Sequence, residues 1–77
     1  MPSRLIEVFL SQDCEEVARK AIAQTDGVEQ WSIRLGEDKT LIRIVAEAED
    51  TEPIIDSVEH ALEHRSEYRI AVLAVEA

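Results

Sequence analysis

Apolar residues recur along this chain at two periods, and the order in which those periods alternate restricts the fold more than any single residue does. Arg4 to Leu10 sets Ile6, Val8 and Leu10 on one side and Leu5, Glu7 and Phe9 on the other, the two-residue repeat of a strand. Cys14, Val17, Ala18, Ala21 and Ile22 then form one stripe at helical spacing. Val28 to Leu35 returns to alternation, with Trp31, Ile33 and Leu35 on one face. Thr40 to Ala48 continues it, with Ile42, Ile44 and Ala46 against Leu41, Arg43 and Val45. Ile54, Ile55, Val58, Ala61 and Leu62 make a second helical stripe, and Tyr68 to Val75 is a last strand. This β-α-β-β-α-β order predicts one α+β domain over residues 1–77. Its expected form is a ferredoxin-like sandwich, an antiparallel four-stranded sheet with two helices on one face. That architecture serves many purposes, so function has to be argued from residues.

Local signals punctuate the pattern. Asp13 is expected to cap the first helix, with Glu16 completing a capping box. Asp26-Gly27 ends that helix, and Gly36-Glu37-Asp38-Lys39 is a hairpin connection. The acidic stretch Glu47 to Glu52 is a loop, after which Asp50 or Thr51 caps the second helix and Pro53 is tolerated in its first turn. The second helix is expected to fray near His64 to Ser66.

Charge narrows the classes of partner. With 8 basic and 17 acidic residues the net charge is −9. Nucleic-acid binding draws on clustered Lys and Arg, so a phosphate backbone is not the expected partner, nor is an anionic membrane surface. The single cysteine, Cys14, excludes an internal disulfide framework. The first apolar run is interrupted by Glu7 and ended by Gln12 and Asp13, so it is no signal peptide. No stretch approaches the roughly 20 apolar residues of a membrane span, and no membrane insertion is expected of these residues.

Two helices cover one face of a four-stranded sheet, yet the first, third and last strands carry apolar residues on both sides. With Ile6, Val8, Ile42, Ile44, Ile70 and Val72 as the core set, Leu5, Phe9, Leu41, Val45, Leu73 and Val75 line the other surface. One-sided antiparallel sheets show a cleaner alternation, and a broad apolar patch marks an interface. The expected cover is a second copy, or further chain. The last strand is still in progress at Glu76-Ala77, as in the N-terminal fragment of a longer protein.

Few residues suggest chemistry. Cys14 stands in register with Val17, Ala18 and Ala21 beside Asp13, Glu15 and Glu16, and reads as a small half-buried hydrophobe. The segment around it partly resembles a heavy-metal-associated domain, with Gly27-Val28 leading into the second strand. That family pairs two cysteines at the helix start, and one thiolate does not make a two-coordinate soft site. Asp56, His60 and His64 fall along one edge of the second helix, and a histidine pair four apart with a carboxylate is a candidate Zn²⁺ or Ni²⁺ set. Glu47, Glu49, Asp50 and Glu52 read as a solvated loop. Arg43 or Arg69 can pair with Glu7 across the sheet. No Ser-His-Asp set, glycine-rich phosphate loop or asparagine is present, so neither an enzyme nor a cofactor is expected.

Longer phrases carry a resemblance across most of the chain. Arg4-Leu5-Ile6-Glu7-Val8, Glu15-Glu16-Val17, Thr40-Leu41-Ile42-Arg43-Ile44, Ile54-Ile55-Asp56-Ser57-Val58 and the run from Tyr68 to Ala77 resemble the soluble N-terminal region of the domain of unknown function 389 family. In those membrane proteins a small α/β domain precedes a block of hydrophobic helices. The resemblance implies a cytoplasmic domain tethered to the inner membrane, with no catalytic residues to carry over. Taken together, the expectation is a regulatory interaction module, paired with itself or with the membrane region of its own chain through the open sheet. The alternatives are a small-molecule sensor and a metal-binding domain.

Overall fold

The computed structural model describes residues 2–65 and 67–75, and the backbone but not the side chain of Val75. Four strands and two helices follow in the anticipated order: β1 (Ser3–Ser11), α1 (Glu15–Ile22), β2 (Glu29–Arg34), β3 (Lys39–Glu47), α2 (Thr51–Leu62) and β4 (Arg69–Val75). The strands lie in the order β2-β3-β1-β4, every pair antiparallel. β1 and β3, the two central strands, are therefore the longest and most apolar.

The core forms where the inner faces of β1 and β3 meet the two helical stripes. Ile6, Val8, Ile42 and Ile44 are fully buried with Ala18 and Ile22 of α1 and Ile54, Val58 and Leu62 of α2. Burying each such aliphatic side chain contributes about 1.5–3 kcal/mol, which is what this short chain has to set against ordering its backbone. Cys14 joins the same cluster, as its register implies. Ile70 packs against the core, whereas Val72, opposite Ile6 on the inner side, stays 45% exposed because β4 is an edge strand.

The inner face of β2 is polar: Gln30 stands opposite Ile44 and Ser32 opposite Ile42. Half-buried amides and hydroxyls need partners. Arg19 of α1 supplies them, donating from Nε to Gln30 Oε1 at 3.2 Å and from Nη1 to Ser32 Oγ at 3.3 Å. Gln30 Nε2 returns a bond to the Arg19 carbonyl at 3.2 Å.

Both helix starts differ from expectation. A 3-10 turn, Gln12–Cys14, precedes α1, and Ser11 caps it by accepting from the Asp13 N–H at 3.4 Å. Asp13 is thus inside the turn, Cys14 occupies the cap of α1 without a side-chain bond, and no Asp13–Glu16 capping box forms. The acidic loop likewise contains a 3-10 turn, Ala48–Asp50, tied down by the Ala48 N–H on the Pro2 carbonyl at 3.0 Å. Asp50 makes no side-chain cap, while the Thr51 hydroxyl donates to the Glu47 carbonyl at 3.5 Å. Pro53 sits in the first turn of α2 as anticipated. Gly27 takes φ +80°, the left-handed conformation that ends the α1 exit, and the Leu35 N–H on the Lys39 carbonyl at 2.9 Å closes the β2–β3 hairpin. No helix among the described residues is long and apolar enough to cross a membrane.

Candidate functional site

Strand register fixes what the uncovered face of the sheet presents. Reading across β2, β3, β1 and β4, one row is Glu29, Val45, Leu5 and Leu73. The next is Trp31, Arg43, Glu7 and Ala71, and the third is Ile33, Leu41, Phe9 and Arg69. Two apolar bands therefore flank a central row that carries one acid and one base. All six anticipated interface positions have the register of this face; the side chain of Val75 lies outside the described residues, and its backbone pairs with Ser3.

Exposure is uneven across the patch. Leu73 is 45% exposed and Trp31 41%. Leu5, Phe9 and Val45 are partly covered by their neighbours, and Leu41, flanked in its row by Ile33 and Phe9, is buried without any partner. At the centre Arg43 donates from Nε to Glu7 Oε2 at 2.9 Å, the cross-strand pair expected from the sequence. Arg69 stands in the row beside Phe9 and makes no ion pair among the described residues. Trp31 and Ile33 extend the patch onto β2. Their place on it follows from pairing Trp31 with Arg43, and the alternation Trp31, Ile33, Leu35 was the available signal.

The histidine set does not assemble. α2 ends at Leu62, so His64 lies past the helix and leaves the edge shared by Asp56 and His60. His60 and His64 instead stand 3.8 Å and 3.3 Å from opposite oxygens of Glu63, all three at the surface. Among the described residues no three His, Cys, Asp or Glu side chains are grouped to hold a metal ion.

A second concave feature lies at one end of the sheet. A recess of about 640 Å³ is bounded by Phe9 and Leu10 of β1, Leu35 and Lys39 of the hairpin, Thr40, and the segment Glu67 to Arg69 that enters β4. Thr40 is almost fully buried, and its hydroxyl has no hydrogen-bond partner. Lys39 and Arg69 bring two cations, unpaired among the described residues, to the rim of a chain whose net charge is −9.

No protein-family model and no curated protein matches this chain. Solved structures do match by shape. A DUF3240 family protein from Shewanella baltica superposes with TM-score 0.77 at 12% identity, over 97% of this chain and 91% of that one. A functionally unknown protein from Pediococcus pentosaceus gives 0.78 at 13%, over 100% and 95%. PII from Arabidopsis thaliana, bound to citrate, gives 0.75 at 17%, over 96% and 78%. The architecture is a ferredoxin-like α+β sandwich with an open sheet. At these identities the likeness establishes the fold and leaves the site to be argued from its own residues.

Proposed function

We propose that this protein is a small regulatory module that acts by association through the uncovered face of its sheet. The observation that carries this reading is the pair of apolar bands, Leu5 with Val45 and Phe9 with Leu41, on a face that neither helix covers. Apolar surface of this kind, rimmed by charge, is what an interface uses. A fold shared with a PII signalling protein supports a regulatory rather than a catalytic role. Solution mass across a concentration series tests it, with Leu73→Glu as the disruptive variant because Leu73 is exposed in the isolated chain. Assembly lost in Leu73→Glu supports the reading. Failure of the protein to associate with itself, and with the rest of its own full-length chain, overturns it.

The resemblance to the domain of unknown function 389 family supports a finer placement, as the cytoplasmic module of a membrane protein. Fractionating cells that express the full natural gene product tests this. Recovery of the Trp31-containing domain in the membrane pellet is expected, and recovery in the soluble fraction alone refutes the placement.

The recess at the sheet end favours a second reading, a sensor for small anions. Lys39 and Arg69 supply charge, and Phe9, Leu10 and Leu35 supply an apolar wall. A ligand that binds only the folded state raises the melting temperature. Citrate, the ligand of the structurally similar Arabidopsis protein, is the first probe. A rise abolished by Lys39→Ala supports the sensor; no rise with citrate or inorganic phosphate removes it.

A further inference from the structure

Glu7 and Arg43 lie side by side at the middle of the uncovered face, and each retains bonding capacity that the chain does not use. Arg43 donates to protein only from Nε, and Glu7 accepts only at Oε2. The guanidinium has four more N–H groups on its terminal nitrogens, and the carboxylate has a second oxygen. The Glu7 side chain is 16% exposed and that of Arg43 40%. A half-satisfied charge pair inside an apolar patch fits a partner that brings the complementary pair.

We propose that the partner is a second copy of this chain, laid face to face about a two-fold axis that runs along the strands midway between β1 and β3. The proposal rests on the association reading above and adds its occupant and register. This axis exchanges the positions of β1 and β3, so Arg43 faces Glu7 of the second copy and Glu7 faces its Arg43. The four side chains close a ring of alternating charge. In the flanking rows Leu5 faces Val45 of the second copy, and Phe9 faces its Leu41. Across the outer strands the same operation sets the large Trp31 over the small Ala71 of the second copy. An interface of this symmetry must be self-complementary, and the central row is. The other two-fold available to stacked sheets, running across the strands, sets Arg43 over Arg43 and Glu7 over Glu7, which like-charge repulsion opposes. Sheets stacked about 10 Å apart leave room for arginine and glutamate to interdigitate.

Charge exchange between chains tests the register. Glu7→Arg presents two cations and Arg43→Glu two anions, so each alone is expected to weaken its own dimer by about tenfold or more. Mixed in equal amounts, the two variants are expected to form a heterodimer, read by native mass spectrometry, because every facing pair is again opposite in sign. A merely structural loss of the Glu7–Arg43 bond would not be repaired by mixing. Far-ultraviolet circular dichroism checks that each variant folds. Should either not fold, Ala71→Phe replaces the test: a ring in the space assigned to Trp31 is expected to abolish the dimer. A wild-type dimer sensitive to Leu73→Glu, combined with no heterodimer on mixing or with an Ala71→Phe dimer of unchanged affinity, overturns this register and leaves the association reading standing. A wild-type protein that stays monomeric overturns the second copy as occupant, and only failure to bind the full-length chain then removes the broader reading.

Discussion

Arg19 of α1 and Gln30 of β2 bond each other in both directions, side chain to side chain at 3.2 Å and amide back to the Arg19 carbonyl at 3.2 Å. The helix is thereby fastened to an edge strand whose inner face has no apolar residue to offer at Gln30 or Ser32. Gln30→Ala removes both bonds and leaves the guanidinium with Ser32 alone. The expected cost is about 1–2 kcal/mol, against about 0.5 kcal/mol or less for the neighbouring exposed Glu29→Ala. Urea unfolding of the two variants checks this, and equal midpoints would show that the tie contributes nothing.

Gly27 and Gly36 predict opposite outcomes. A Cβ at either meets nothing within 4 Å, so sterics with neighbours do not decide between them. Gly27 takes φ +80°, and Gly36 has no positive φ. Gly27→Ala is expected to destabilise by about 1–2 kcal/mol through backbone strain. Gly36→Ala is expected to be neutral or to stabilise by up to about 1 kcal/mol, because it restricts the unfolded chain. Thermal unfolding of both proteins under one set of conditions reads the contrast.

Thr40 is buried between Leu10 and Arg34 of the neighbouring strands, and its hydroxyl lacks a partner. Thr40→Val removes an unsatisfied polar group without removing a bond. Stability is expected to stay level or rise by about 1 kcal/mol. A fall in the denaturation midpoint would mean that the hydroxyl is bonded in solution.

Much of this was legible in the sequence, and what was not failed for identifiable reasons. Ile6, Val8, Ile42 and Ile44 are inside because a period of two leaves each strand one buried face, and the helical stripes point to the same core. Asp13 and Asp50 are good cap residues in isolation, but 3-10 turns entered from Ser11 and Glu47 place both one step away from that role. His64 belongs with Asp56 and His60 only if α2 runs on past Leu62, and helix ends are set by packing more than by spacing. The open-face residues of β1 and β3 were readable from two-sided apolarity. The part played by Trp31 was not, because which face an edge strand offers depends on its register with Arg43.

Cys14 is 8% exposed and packs with the core at the start of α1. Its thiol is expected to react with a disulfide reagent at least about tenfold more slowly in the native protein than in urea, because reagent reaches it only when the structure opens. Ellman's reagent, followed by absorbance, measures both rates. Comparable rates would mean that the N-terminal end of α1 is open in solution.

β4 is held on one side only. Its ladder to β1 is complete from Arg69 to Val75, but its other edge is free, Val72 is 45% exposed on the inner face and Leu73 45% on the outer. Amide deuteration should therefore reach β4 through small openings, well before it reaches β1 and β3, whose exchange awaits disruption of the whole core. The order in which the amides take up the isotope would map a hierarchy: a three-stranded unit with its helices that persists, and a last strand that leaves and returns on its own. If β4 exchanges no faster than β1, the molecule opens as one piece.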